Sequence, residues 1–237
     1  EVQNRDWIEY GDDNDYFGYL IDRYNGSPTN NAAINGIADM IYGKGLDAVD
    51  GDSKPEQYAE MKSLFSKKCL KSVCYDYKMM GNAAFQVIYS KDRSRIAQVE
   101  HIPVQTLRAE KADAKGKINA YYYSNDWSEV SNSKKNVKRI PEFGCSNENI
   151  EIVYIQPYKA GSFYYSPVDY QGGIQYTELE EEIANYHINN IQNGLAPSML
   201  INFNNGVPTE EERSAIEQRI YDKFSGSSNA GRFILAF

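Results

Sequence analysis

The spacing of the apolar residues changes twice along this chain, and these two changes constrain its fold more than any other feature. From Ser53 to Met80, apolar side chains recur about every four residues, which predicts one long helix. Gly81-Asn82 ends that pattern, and alternation by two between Ala83 and Ile155 predicts strands. A second helical pattern runs from Ser166-Pro167 to Asn193-Gly194. The sequence therefore predicts an α+β fold in which two long helices flank a β-rich insertion.

Residues that cap helices predict the remaining elements. Ser27-Pro28 is a typical helix start, and Gly43 is a typical end. Ser53 with Glu56 and Thr209 with Glu212 have the spacing of capping boxes. Strands are predicted at 198–203 and 233–237, on either side of the last helix, and the Ser-, Asn- and Lys-rich tract 124–149 predicts a long exposed loop.

The helix predicted at 167–193 carries two separate apolar faces with a polar stripe between them. We name these sets the Leu179 face (Val168, Tyr176, Leu179, Ile183 and Tyr186), the Ile188 face (Ala184, Ile188 and Ile191) and the polar stripe (Gln171, Gln175, Glu178, Glu182, Asn185 and Asn189). No Lys or Arg occurs between Ser166 and Ala196. A surface helix of a monomer normally has one apolar face. The second face therefore predicts either a neighbouring subunit or burial between two parts of the same chain.

The overall charge argues against static binding of nucleic acid. The chain contains 25 Lys and Arg against 33 Asp and Glu, a net charge of −8, which repels phosphates. The hydrophobic fraction of 41% is high enough to form a core. No apolar run approaches the roughly 18 residues of a membrane span. Cys69, Cys74 and Cys145 have no disulfide spacing, so a reducing compartment is expected.

Residue patterns that support catalysis or metal binding were sought and not found in the sequence. His101 and His187 have no Cys, His or carboxylate at metal-ligand spacing. Gly172-Gly173 is not followed by the Lys-Ser/Thr of a phosphate-binding loop. The consecutive side chains of 180–182 point in different directions on a helix, so they cannot flank one bond. We therefore predict no catalytic residue, no metal and no cofactor, and expect a protein that is not an enzyme.

The sequence contains 20 tyrosines, with clusters at 121–123 and 164–165. Tyrosines are common in β-structure, where aromatic rings fit the pleated surface. Exposed tyrosines can also form a surface that binds a partner or a carbohydrate. The sequence leaves both interpretations open.

A set of short motifs in fixed order resembles the portal protein family of tailed bacteriophages, over about residues 28–237. In the second half of the chain the motifs are Ser166-Pro167, Asn193-Gly-Leu-Ala-Pro-Ser198, the strand 199–203, Pro208-Thr-Glu-Glu-Glu212 and Asn229-Ala-Gly-Arg232. In the first half they are Ala32 to Gly43, Met80-Gly-Asn-Ala-Ala84 and Ile102-Pro-Val-Gln105.

The resemblance implies a portal-like architecture in five segments. These are an N-terminal arm and wing helix at 1–54, a first stem helix and hairpin at 55–95, a clip-like β insertion at 96–160, a second stem helix at 161–195 and a wing strand–helix–strand at 196–237. It also implies that the chain is a fragment that lacks the C-terminal crown region.

The resemblance further implies a ring of about a dozen copies at one capsid vertex. Double-stranded DNA would pass through this ring during packaging and ejection, and the ring would be assembled in the bacterial host cytoplasm. Its protein partners would be the terminase large subunit, capsid and scaffold proteins and a head–tail adaptor. No membrane would be involved. The polar stripe would line the DNA channel. Ile188 and Ile191 would contact neighbouring subunits. Lys67, Lys71 and Lys78 would either form a solvated face or pair with acidic residues of a neighbouring stem.

Two other functions remain open at this stage. A tyrosine-rich surface or carbohydrate-binding module would be a monomer with exposed rings. A carboxylate-dependent hydrolase would need a convergent acidic pair, and the sequence offers none that can be named.

Overall fold

The structure is a computed structural model. It describes residues 2–3, 6–128, 130, 137–193, 199–202, 209–224 and 233–236. The chain divides into two compact units, 1–177 and 178–237, which are described separately. The fold mixes helices with small sheets, as the α+β prediction requires. None of the described helices combines the length and apolar character needed to cross a bilayer.

The first unit begins with a short hairpin and two helices. Strands β1 (Val2–Gln3) and β2 (Ile8–Glu9) pair antiparallel and are followed by α1 (Tyr16–Gly26) and α2 (Pro28–Tyr42). The predicted cap is confirmed, because the Asn30 N–H donates to Ser27 Oγ at 3.1 Å. Pro28 occupies the first turn, where its missing N–H has no cost.

The long helix predicted from Ser53 to Met80 is two helices, α3 (Pro55–Leu64) and α4 (Lys67–Met80). The chain is extended at Phe65, and Ser66 caps α4 by accepting a hydrogen bond from the Cys69 N–H at 3.1 Å. The helical prediction missed this break because the apolar spacing continues through it. The capping box predicted at Ser53 is also wrong: its hydroxyl donates to the Asp50 carbonyl instead, at 2.8 Å.

The β-rich region contains two three-stranded antiparallel sheets. The first has the order β4 (Ile96–His101), β3 (Ala83–Tyr89), β8 (Ile150–Ile155), and the second has the order β5 (Leu107–Ala109), β6 (Ala120–Tyr123), β7 (Lys138–Pro141). Strand β7 lies inside the tract predicted to be a loop. It pairs with β6 and buries Ile140. One isoleucine in a polar tract does not produce the alternating pattern that predicts a strand.

The second predicted helix begins later than its motif. Helix α5 spans Ile174–Asn193, whereas Ser166 is fully buried and does not cap it. The Ser166 N–H donates to Asn82 Oδ1 at 2.9 Å. Gly81 lies beside this contact with a φ of 70°, and a Cβ at that position would be 2.6 Å from the Ser166 carbonyl oxygen. A tertiary contact with the end of α4 therefore uses the residues that sequence spacing assigned to a helix start.

The second unit contains the rest of α5, β9 (Met199–Asn202), α6 (Glu210–Phe224) and β10 (Phe233–Ala236). Strands β9 and β10 pair in parallel, with α6 as the connection. The capping box before α6 is confirmed. The Thr209 N–H donates to Glu212 Oε2 at 2.9 Å, and the Glu212 N–H donates to Thr209 Oγ1 at 3.4 Å.

Candidate functional site

Helix α5 is the candidate functional site, because its surface carries most of the predicted site residues. Its first turn is anchored by the buried side chains of Ile174 and Thr177. Beyond that turn, most of its described side chains are exposed, and none is buried. A helix with exposed side chains on every face has surface available for partners.

The two apolar faces of α5 remain open to solvent in the single chain. The exposed fractions of their large side chains are 73% for Tyr176, 52% for Leu179, 48% for Ile183, 63% for Tyr186, 50% for Ile188 and 81% for Ile191. Val168 is a correction to the Leu179 face, because it precedes α5 and is buried in the core of the first unit. Exposed large apolar side chains in a row are typical of protein–protein contact surfaces.

The structure brings five of the six polar-stripe residues together on α5. Gln175, Glu182, Asn185 and Asn189 are exposed, and Glu178 is half-buried. Gln171 is the exception, because it lies in the short 3₁₀ turn before α5 and accepts a hydrogen bond from the Tyr16 hydroxyl at 2.6 Å. The stripe on the helix is therefore polar and acidic and carries no positive charge.

The lysines assigned to subunit contacts fall into two groups. Lys78 is only 8% exposed, and its ammonium lies 2.7 Å from Asp169 of the same chain. Lys71 pairs with Asp39 at 3.0 Å. These two ammonium groups have acidic partners within the chain, and their contact with neighbouring subunits stays a prediction. Lys67 is exposed at the start of α4 and has no acidic partner within 4 Å in the described part of the chain.

Sequence reasoning missed a polar contact that fixes α4 against β4. Asp76 is buried and accepts a hydrogen bond from the Val104 N–H at 3.1 Å, while its Oδ2 lies 2.8 Å from His101 Nε2. The partners are 25 and 28 residues away in the sequence, so no local pattern could identify them. A cavity of about 470 Å³ opens beside this pair.

A second missed feature is the buried guanidinium of Arg108. It donates to the Asn14 carbonyl at 2.7 Å and lies 4.9 Å from the centre of the Trp127 ring. Burial lowers the pKa of this guanidinium from its ordinary value. The side chain lines a cavity of about 720 Å³ together with Trp7 and Phe17. Its bonds to main-chain carbonyls hold the N-terminal segment against the β-rich region.

Three of the five tyrosines in the clusters 121–123 and 164–165 are buried in the core, and the other two are partly buried. Tyr121 is buried and stacks on Tyr154 at 4.7 Å between ring centres, and burial raises the pKa of the Tyr121 hydroxyl. The Tyr165 hydroxyl accepts a hydrogen bond from the Ala109 N–H at 2.9 Å. Tyr164 is also buried. These positions favour the β-structure interpretation, because buried rings cannot stack on a sugar.

Among the described residues, no group of three His, Cys, Asp or Glu side chains is close enough to hold a metal ion. Cys69 is buried, and burial raises the pKa of its thiol. The raised pKa makes this thiol a weaker nucleophile at neutral pH.

Comparison with known proteins identifies similar structures but no similar sequence. No protein family model matches the chain. No curated protein matches it either. Similar solved structures include a chain from the neck of an empty gene transfer agent particle computed with C6 symmetry, with a TM-score of 0.62 and 12% identity. Others are a chain from the virion of the native particle, with a TM-score of 0.61 and 13% identity, and a chain from the native neck computed with C12 symmetry, with a TM-score of 0.59 and 12% identity.

The matches extend over most of this chain but not over most of the other chains. They cover 92% of this chain and 57–58% of the matched chains. TM-scores of 0.59–0.62 show a shared fold, and at 12–13% sequence identity they show the fold alone. Chains with this fold therefore occur in the necks and virions of phage-like particles.

Proposed function

We propose that this chain is part of a portal subunit of a tailed phage or phage-like particle. Many identical copies of that subunit would form a ring around a DNA channel at a capsid vertex. The observation that carries the proposal is the surface of α5, where two apolar faces and a polar stripe are all exposed in the single chain. The fold similarity to chains of symmetric particle necks supports it.

A ring gives each exposed surface of α5 a role. Copies related by rotation make head-to-tail contacts, so each subunit uses two different surfaces, one toward each neighbour. The Leu179 face and the Ile188 face can then be buried on opposite sides. The remaining polar stripe would face the open centre of the ring, where water and DNA pass.

The chemistry of the polar stripe suits a channel that must let DNA slide. Lysine or arginine rings would bind phosphates and release counterions, which creates a deep energy minimum at each position. Amides and carboxylates give weak repulsion and stay hydrated. Gln175, Glu178, Glu182, Asn185 and Asn189 supply these groups without any cation on α5.

The proposal includes partners and a place of action. A portal ring would bind the terminase large subunit during packaging, capsid and scaffold proteins at the vertex, and a head–tail adaptor afterwards. It would assemble in the cytoplasm of a bacterial host and remain in the virion. In this role the chain transports DNA passively and catalyses no reaction.

The test is the assembly state of the purified chain. Mass photometry and negative-stain microscopy should show rings or arcs of many copies. The double variant Ile188→Ser/Ile191→Ser should reduce the assembled fraction at least about tenfold, since it removes two exposed isoleucines from a subunit contact. Tyr158→Ser is the matched control, because Tyr158 is 89% exposed outside α5. A wild-type chain that stays monomeric at high concentration would count against the proposal.

A further inference from the structure

A small basic groove lies where α2, α3 and α4 meet in the first unit. It has a volume of about 210 Å³. Its apolar lining includes Tyr42, Met61 and Phe65, and three lysines line it as well: Lys44, Lys62 and Lys67. No carboxylate belongs to the lining among the described residues. The groove therefore combines an apolar floor with positive charge at its edge.

The positive charge of the basic groove is largely uncompensated. Lys44 and Lys67 are exposed, and neither has an acidic partner within 4 Å in the described ranges. The Lys62 ammonium donates to the Leu46 carbonyl and lies 5.2 Å from the centre of the Tyr58 ring, and the Asp47 carboxylate attracts it without forming an ion pair within 4 Å in the described ranges. A ligand for this groove should be apolar and acidic.

Two carboxylates of the loop between α2 and α3 have partners within the chain. Asp47 accepts a hydrogen bond from the Tyr58 hydroxyl at 2.8 Å, and this bond, with that from the Ala48 N–H, lowers the pKa of the Asp47 carboxyl. Asp50 lies 3.0 Å from the Lys54 ammonium. Asp47 also attracts the Lys62 ammonium, so the positive charge of the groove that has no nearby carboxylate is that of Lys44 and Lys67.

The Leu179 face of α5 has the complementary chemistry. Leu179, Ile183 and Tyr186 are exposed on it, and Glu182 stands at its border with the polar stripe. No lysine or arginine occurs from Ser166 to Ala196, so nothing on this segment repels the groove lysines. Large apolar side chains beside a carboxylate match an apolar floor beside ammonium groups.

We propose that the Leu179 face of α5 in one copy of this chain docks against the basic groove of the next copy. The proposal rests on the ring assembly described above and identifies the surface of the next copy that covers the Leu179 face, while the Ile188 face lies toward the copy on the other side. The groove and the α5 face are different surfaces, as a contact that closes a ring requires. Pairing of two α5 helices is disfavoured, because it would bring their glutamates together.

Charge reversal on each surface tests the contact. Lys67→Glu and Glu182→Lys should each raise the dissociation constant for assembly about tenfold or more, because each places like charges opposite one another. A one-to-one mixture of the two variants should recover assembly, since alternating copies restore opposite charges at every contact. Analytical ultracentrifugation of the 237-residue chain measures both effects.

The controls separate this contact from ring assembly in general. Lys91→Glu reverses an exposed lysine in the turn between β3 and β4 and should assemble as wild type does. Circular dichroism confirms that each variant is folded. Wild-type assembly by Lys67→Glu, or a mixture that fails to recover, would overturn the docking contact and leave the ring intact. A wild-type chain that does not assemble would instead overturn the ring itself, and the contact with it.

Discussion

Asn82 and Ser166 exchange two hydrogen bonds although 84 residues separate them in the sequence. The Ser166 N–H donates to Asn82 Oδ1 at 2.9 Å, and Asn82 Nδ2 donates to the Ser166 carbonyl at 2.9 Å. Both residues are fully buried. The pair joins the end of α4 to the segment that precedes α5, and so closes the β-rich insertion at its base.

Asn82→Ala should destabilise the fold by about 3 kcal/mol, because it leaves the buried N–H and carbonyl of Ser166 without partners. Urea unfolding measures the loss. Asn149→Ala is the control, since Asn149 is exposed and its side chain makes no hydrogen bond with the described residues. Equal unfolding midpoints for the two variants would contradict the role assigned to Asn82.

The Lys78–Asp169 pair should stabilise the folded chain mainly because the lysine is buried. Asp169→Asn should reduce the free energy of unfolding by about 2 kcal/mol, since an 8% exposed ammonium loses its carboxylate. Lys78→Met with Asp169→Asn should be less destabilised than Asp169→Asn alone, because methionine needs no charge partner. A double-mutant cycle in urea measures the coupling, and strict additivity would refute it.

Glu151 should make stability depend on pH. Burial favours a higher pKa for its carboxyl, but hydrogen bonds from the Gly144 N–H and the Ser146 hydroxyl, together with the Arg93 guanidinium, lower the pKa below its ordinary 4.5. A lowered folded-state pKa contributes stability above the unfolded-state value and loses it as pH falls through the folded-state value. Acidification should therefore cost wild type more stability than Glu151→Gln.

Urea unfolding at about pH 7 and about pH 4 measures this difference. Glu148→Gln is the matched control, because Glu148 is exposed near the same turn and should retain the pH dependence of wild type. If Glu151→Gln lost as much stability on acidification as wild type, another carboxyl would have to account for the effect.

The polar stripe should affect DNA movement more than assembly. The test is the double variant Glu178→Lys/Asn185→Lys, which adds to the stripe cations that bind phosphate. In particles that carry the variant, packaging or ejection should slow at least about tenfold at low salt, and added salt should relieve the effect. Unchanged packaging would remove these residues from the channel. Glu182 keeps its native side chain in this variant, because it also borders the Leu179 face that the docking contact uses.

Several elements could be predicted from local sequence because the interactions that define them are local. The cap at Ser27, the capping box at Thr209 and Glu212, and the end of α4 at Gly81 are all found in the structure. Each depends on hydrogen bonds or backbone angles within a few residues. The change of apolar spacing after Gly81 likewise predicted where strands begin, since spacing reflects which face each residue presents to the core.

Tertiary structure decided the features that depend on distant partners. The break at Phe65, the pairing of β7, the burial of Ser166 and the carboxylate partner of Lys78 all depend on contacts outside the local window. For α5, the sequence alone supplied two apolar faces and a cation-free polar stripe. Only the three-dimensional structure shows that both faces are exposed. Exposure depends on whether the rest of the chain packs against a face, and the spacing of apolar residues does not report that packing.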